Sequence, residues 1–370
     1  MTQMNYAQAI EYMQELAMKS DQETLSPLID REEELDAPKV ISIAVNKGKS
    51  SILTYLDAIY AYMKIKVCIC HLRFFQNVED CIRINDKPVP KAKLAEYVNR
   101  LQEETKDRKI TFAMAIQTIA YWYACDKACK LLFVESDAEQ EGIELSEITD
   151  MKSASRKQRF SYRGYQKLEI MMKGTFQIVN AARAVEMVEC LAQNQEFAGK
   201  SANIRENAIR KGLAEAVWKG SLYQAGVKPL CIQDMADDAE SVQELMAYLK
   251  TEKKEKPWIL LMAMTKEKNW QSYAKDMCES AMMVITVTSP HMNRREVYSA
   301  YELAQELAAY TDRITAADSM EEALELGRML AGEDGILVCF GTHSVAGEVS
   351  RILGLKEPKI SDTHGVSLME

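Results

Sequence analysis

The stretch KVISIAVNKGKSS, residues 39–51, decides how the chain folds. It begins with an apolar, β-branched run at residues 39–45, which predicts a buried strand. A turn of small and polar residues follows at 46–51, and residues 52–63 continue with helical periodicity. A strand, a small-residue turn and a helix in this order are typical of the opening unit of a nucleotide-binding α/β fold.

Strands and helices alternate along most of the remaining chain. Helices are predicted at residues 6–16, 91–105, 112–125, 176–192 and 203–218, and strands at 66–71 and 130–135. The last third predicts strands at 229–233, 258–264, 282–288, 313–316 and 335–340, with helices between them. This alternation predicts an α/β fold, with parallel sheets covered by helices on both faces. Residues 139–165 are charged and weakly patterned, and no element is predicted there.

The length and composition predict two domains in a cytoplasmic protein. The chain has 370 residues, 47% of them hydrophobic, which is enough for two cores. We place the boundary in the segment 223–228, giving domains at 1–224 and 225–370. The nine cysteines form no C-x-x-C pair and are expected to be reduced packing residues. No segment has the long apolar run that crosses a membrane or the apolar stretch of a signal peptide.

The net charge of −9 argues against nucleic acid as a partner, because an acidic surface repels phosphate backbones. Within this acidic chain, Gly48, Lys49 and Ser50 have the residue types that bind a phosphate group at the start of a helix. Backbone N–H groups and the lysine would face the phosphates, and a serine hydroxyl would bind Mg²⁺. The upstream glycine of such loops is replaced by Ile43, so an ordinary polar turn is the alternative.

Short motifs in a fixed order extend this interpretation to most of the chain. They lie at residues 43–51, 69–72, 111–114, 174–181, 218–221, 234–238 and 341–349. In that order they resemble V-A-G-T-N-G-K-G-S, S-P-H-L, T-F-F-E, G-x-H-Q-x-x-N-A, W-x-G-R, D-G-A-H-N and G-S-x-x-x-x-G-E-V. These are motifs of the folylpolyglutamate synthase and dihydrofolate synthase family, within the Mur-ligase superfamily. Each match is short, and their shared order is what makes the resemblance specific.

The resemblance implies a fold, a reaction and a set of site residues. It implies a phosphate-loop domain with a shortened central segment at about 138–173, then a smaller Rossmann-like domain. Family members use ATP and Mg²⁺ to join glutamate to a folate. The nucleotide site implied here consists of Gly48, Lys49, Ser50, Ser51, Asn180 and Asp234. The resemblance implies Ser51 as a metal ligand, and a rebuilt metal site would add Glu135 or Asp137. Such a protein is expected to be a monomer.

The departures from the family motifs fall on chemistry. Met114 replaces the glutamate of T-F-F-E, and a thioether is a poor ligand for a hard cation. Ser221 replaces the arginine of W-x-G-R, and Asp237 replaces the histidine of D-G-A-H-N. The family's central segment with its histidine and lysine has no recognisable counterpart here, and residues 138–173 contain no histidine. We therefore expect weakened or lost ligase activity, and we assign no catalytic residue.

Three hypotheses remain open at this stage. The chain is a folate–glutamate ligase, a non-catalytic relative that binds a nucleotide, a folate or a protein partner, or a ligase with a rebuilt metal site. His71 is interpreted as a buried histidine whose hydrogen bonds are satisfied, rather than as a catalyst. Gln177 and Asn180 are interpreted either as ligand contacts or as a hydrogen-bonded pair at a helix start.

Overall fold

The computed structural model describes residues 3–19, 37–45, 47–72, 75–85, 87–106, 108–135, 148–153, 157–193, 201–252, 256–267, 269–290 and 296–355. Asn46 of the loop and the candidate ligand Asp137 lie outside these residues. The described residues up to Trp218 form one compact unit, and a second begins at Lys219. The predicted α/β class is confirmed. None of the described helices is long and apolar enough to span a membrane.

The first unit is built around a five-stranded sheet. Its elements are α1 (Tyr6–Lys19), β1 (Lys39–Ile43), α2 (Lys49–Met63), β2 (Val67–Cys70), β3 (Ile82–Ile84), β4 (Lys87–Pro88), α3 (Lys91–Glu104), α4 (Phe112–Asp126), β5 (Leu131–Glu135), β6 (Ile148–Ser153), β7 (Gln158–Tyr162), β8 (Tyr165–Ile170), α5 (Phe176–Ala192) and α6 (Ala202–Glu215). The strand order is β1-β5-β2-β3-β4, and β1, β5 and β2 are parallel. The carboxyl ends of these three strands therefore meet at one edge of the sheet.

Alternate residues of β5 show how the sheet separates two cores. Leu131 and Phe133 pack on one face, in a core that includes residues of α2, α5 and α6. Leu132 and Val134 pack on the opposite face, with residues of α1, α3 and α4. All five residues of β5 are buried. A strand that is buried on both faces explains the continuous apolar run in the sequence.

The segment left without a predicted element contains most of a second, antiparallel sheet. Strands β6, β7 and β8 pair in that order. Phe160 and Tyr162 of β7 enter the core, while Arg159 pairs with Glu169 of β8 on the other face. The strand pattern is weak in the sequence because charged pairs occupy the outer face and irregularities interrupt the register.

The second unit contains a six-stranded sheet. Its elements are β9 (Tyr223–Val227), β10 (Leu230–Gln233), α7 (Ala239–Glu252), β11 (Trp258–Ala263), α8 (Ala274–Ser280), β12 (Met283–Thr286), α9 (Ala300–Leu307), β13 (Ile314–Ala316), α10 (Met320–Ala331), β14 (Ile336–Gly341) and α11 (His343–Ile352). The strand order is β13-β12-β11-β14-β10-β9, and only the edge strand β9 is antiparallel. The boundary that we placed at 224/225 thus falls inside β9.

Candidate functional site

The predicted phosphate-binding turn enters α2 through a glycine that the local geometry requires. Gly48 has φ of +85°, in the left-handed region that disfavours residues with a Cβ atom. A Cβ atom at this position would lie 2.2 Å from Oδ1 of Asn180 on α5. Lys49, Ser50 and Ser51 form the first turn of α2, where the N–H groups of a helix point toward its amino end. Ile43, at the position of the missing upstream glycine, is buried.

A carboxylate at the end of a neighbouring strand holds this turn. Glu135 is the last residue of β5, and its Oε1 accepts a hydrogen bond of 2.6 Å from Ser50 Oγ. The same oxygen lies 3.1 Å from Nδ1 of His71, the residue that follows β2. Oε2 of Glu135 accepts a hydrogen bond of 3.2 Å from the backbone N–H of Leu72. The structure therefore joins three segments around one carboxylate.

The Glu135 carboxylate remains ionised over the physiological pH range. Burial by itself raises the pKa of Glu135, because a charge is poorly solvated in the protein interior. The hydrogen bond and charge of His71, together with hydrogen bonds from Ser50 and Leu72, outweigh burial and lower the pKa to about 2. A carboxylate with so low a pKa is a poor general base, so it does not activate the Ser50 hydroxyl as a nucleophile. It is instead a permanent negative charge beside the loop.

The second serine of the loop faces a different partner. Ser51 Oγ accepts a hydrogen bond of 3.0 Å from Nε2 of Gln177, the second residue of α5. Oε1 of Gln177 accepts a bond of 3.3 Å from Nδ2 of Asn180. All three side chains are buried. Gln177 and Asn180 are therefore a hydrogen-bonded pair that also contacts the loop, through Ser51 and Gly48.

An aromatic stack fixes the histidine of the site. The His71 ring lies 5.7 Å from the Trp218 ring with an interplanar angle of 11°. The ring of Phe75 also packs near Trp218, with the two ring centroids 5.5 Å apart. His71 is only 7% exposed. His71 is therefore buried and hydrogen-bonded through Nδ1, as predicted. Its partner, however, is Glu135, a charged residue of the candidate site.

The donor set at the loop suits Mg²⁺ bound together with a phosphate. No group of three or more His, Cys, Asp or Glu side chains that could hold a metal by itself exists in the part of the chain that the structure describes. Mg²⁺ is commonly held by one or two carboxylates plus phosphate oxygens and water. Glu135 supplies an ionised carboxylate, and three donors leave part of its acceptor capacity free. Ser50 supplies the adjacent hydroxyl.

The remaining predicted residues have separate surroundings. Asp234, in the second unit, accepts hydrogen bonds from the N–H groups of Leu222 at 2.7 Å and Ala236 at 2.8 Å. Burial raises the pKa of Asp234 to about 7, in spite of these two bonds. The carboxyl group thus connects two backbone segments within its own unit. Met114 is buried in the first turn of α4, where its N–H donates to Thr111.

Comparison with known proteins shows which solved structures share the fold of this chain. No family model and no curated protein sequence matches the chain. Mycobacterium tuberculosis folylpolyglutamate synthase complexed with ADP matches with a TM-score of 0.74 and 14% identity, covering 95% of this chain and 94% of that one. The chain has the fold of the folylpolyglutamate synthases. Escherichia coli FolC in complex with DHPP and ADP also matches, with a TM-score of 0.74 and 14% identity over 95% and 98% of the two chains.

The fold predicted from the sequence motifs is therefore confirmed over nearly the whole chain. Lactobacillus casei folylpolyglutamate synthetase matches with a TM-score of 0.69 and 16% identity, covering 95% of this chain and 100% of that one. Identities of this size show the fold and not the activity.

The hydrogen bond between His71 and Glu135 was not predicted from the sequence. The sequence contained one signal for this contact: Glu135 ends a predicted strand and His71 lies at the end of another. The carboxyl ends of parallel strands lie at one edge of a sheet.

Proposed function

We propose that the first unit binds a nucleotide together with Mg²⁺. The observation that carries this proposal is the 2.6 Å hydrogen bond between Ser50, in the first turn of α2, and Glu135, at the end of β5. Nucleotide-binding loops of the G-K-[ST] type hold Mg²⁺ with the hydroxyl after the lysine and an acidic residue on a nearby strand. The solved structures with this fold include complexes with ADP and with AMPPCP, which supports the same ligand class here.

The two loop serines have different roles in this proposal. Ser50 binds the metal with Glu135, whereas Ser51 supports the loop through its hydrogen bond with Gln177. This differs from the assignment by resemblance, in which Ser51 was the metal ligand. Lys49 neutralises phosphate charge, and the N–H groups of the first turn of α2 donate to phosphate oxygens. Bound Mg²⁺ would supply a positive charge that orients the phosphates and stabilises negative charge on them.

We further propose that ligase activity toward folate and glutamate is weakened or absent. One solved structure with this fold is a complex with AMPPCP and folate, so folate is the first substrate to test. In this chain Met114, Ser221 and Asp237 occupy three polar positions of the family motifs. Loss of a single group that stabilises a transition state costs ~10²–10³ in rate. Replacement of several such groups makes a non-catalytic nucleotide-binding relative the best-supported function.

Calorimetry of ADP binding tests the nucleotide proposal. We expect measurable but weak binding that strengthens when Mg²⁺ is present. Lys49→Ala should weaken it by ~10- to 150-fold, since a hydrogen bond to a charged group contributes ~1.5–3 kcal/mol. Lys130→Ala is the matched control, because Lys130 is exposed just before the amino end of β5. Equal affinity of the Lys49 variant and the wild type would contradict the proposal.

A turnover assay tests the ligase proposal separately. The purified protein is given ATP, Mg²⁺, tetrahydrofolate and glutamate, and ADP release is followed with each substrate omitted in turn. We expect no release that depends on both folate and glutamate. Turnover near one per second, within the ordinary range of ~1–10³ per second, would show an active ligase with a rebuilt site.

A further inference from the structure

We propose that His71 is a positioning residue that orients the Glu135 carboxylate for Mg²⁺, and that it does not bind the metal itself. The inference rests on the proposed nucleotide and Mg²⁺ site, and it adds a residue to which that site assigns no role. Residues behind a metal ligand fix its orientation, and their loss typically weakens metal binding by ~10–100-fold.

The hydrogen bonds of Glu135 come from two sides. His71 and Leu72 are consecutive residues, and they hold different oxygens of the carboxylate, with Nδ1 at Oε1 and the backbone N–H at Oε2. Ser50 approaches from the loop and shares Oε1 with His71. A metal bound by Ser50 and Glu135 would replace the direct hydrogen bond between them. The contacts from His71 and Leu72 would then be the ones that keep the carboxylate in place.

The orientation of the imidazole is itself fixed. The ring is stacked on Trp218 with an interplanar angle of 11°, and the side chain is almost fully buried. A carboxylate oxygen accepts hydrogen bonds, so Nδ1 of His71 is the donor in its 3.1 Å contact with Oε1 of Glu135. A donor held in one place by stacking is suited to align a neighbouring carboxylate. Mg²⁺ prefers oxygen ligands, so the carboxylate is the better ligand of the two.

Three variants of His71 separate positioning from bulk packing. His71→Asn places an amide N–H near the position of Nδ1 and keeps the donor to Glu135. His71→Gln places its amide nearer to the position of Nε2 and loses that donor. His71→Phe keeps a ring against Trp218 but has no donor. If the Phe variant does not fold, the Asn and Gln pair carries the comparison by itself, because both are small polar amides.

The readouts are Mn²⁺ affinity by electron paramagnetic resonance, with ADP present, and ADP affinity by calorimetry without metal. We expect the Gln and Phe variants to bind Mn²⁺ ~10–100-fold more weakly than wild type, and the Asn variant to remain within about threefold. Metal-free ADP affinity should be unchanged in all of them. A purely structural role would instead weaken both affinities together and would not be rescued by Asn.

Three outcomes would overturn the proposal. Unchanged Mn²⁺ affinity in the Gln and Phe variants would show that His71 does not position the carboxylate. Weaker Mn²⁺ binding in the Asn variant that equals the loss in Phe would point to a direct metal contact through Nε2. If the wild type binds ADP but shows no Mn²⁺ binding, then the Mg²⁺ part of the proposed function fails as well, while its nucleotide part stands.

Discussion

Acidification should destabilise the first unit through Glu135. The folded-state pKa of Glu135 is about 2, against 4.5 for an unperturbed glutamate. The unfolded chain therefore binds more protons between these values, so the free energy of unfolding rises with pH in this window. The difference of roughly 2.5 units corresponds to about 3 kcal/mol, fully present well above pH 4.5. By the same linkage, about 2 kcal/mol of it is lost on going from pH 7 to pH 3.

The assay compares wild type with Glu135→Gln, which cannot titrate. Urea unfolding is followed by circular dichroism at pH 7, 4 and 3, and the transition of the first unit is analysed in both proteins. Glu135→Gln also disturbs the hydrogen bonds of this site, at every pH. The informative quantity is therefore how the difference in the free energy of unfolding between the two proteins changes with pH. We expect that difference to shrink by about 2 kcal/mol between pH 7 and pH 3. A difference that is constant within about 0.5 kcal/mol over that range would refute the reasoning.

Three further predictions concern the loop and the second unit. Gly48→Ala should lower the thermal midpoint more than Gly354→Ala does. Both glycines have positive φ values, which alone cost ~1–2 kcal/mol on substitution, but only at Gly48 would the added Cβ atom meet neighbouring atoms. Ser50→Ala should remove the Mg²⁺ dependence of ADP binding measured by calorimetry. Ser51→Ala should instead lower stability by ~1–3 kcal/mol, because the buried amide of Gln177 loses its hydrogen bond to the Ser51 hydroxyl. Asp234 has a pKa raised to about 7, so the folded state binds more protons and the free energy of unfolding should fall as pH rises from about 4 to about 7. Asp234→Asn should abolish that slope in urea titrations, and an unchanged slope would assign it to another group.

Features that are local in the chain were predictable from the sequence. Helix α5 was predicted at residues 176–192, which are its observed bounds. Strands β5 and β11 were found because strands buried on both faces leave continuous apolar runs. The prediction that β1 is buried was wrong, because β1 lies at the edge of its sheet and only Ile43 in it is buried. The strand, turn and helix around Gly48 were also predicted, and the positive φ of Gly48 explains why a glycine stands at this helix start.

Strands with an exposed face were harder to predict. Strand β6 is almost fully exposed and β8 begins with polar, exposed residues, so the segment lacks a regular apolar pattern and looks like a loop. The segment of strand β9 was interpreted as a domain boundary, whereas the structure shows a short strand at the edge of its sheet. In both cases pairing with neighbouring strands decides the structure, and pairing is not visible in a single segment.

The composition of the candidate site was decided by tertiary structure alone. Ser50 and Glu135 are 85 residues apart, His71 and Glu135 are 64 apart, and Ser51 and Gln177 are 126 apart. The residue types predicted a loop that binds phosphate and a nearby acid, but two adjacent serines are equivalent in a sequence. Helical geometry separates them, because consecutive side chains on α2 point about 100° apart. One serine therefore faces the carboxylate at the end of β5, and the next faces the amide of α5.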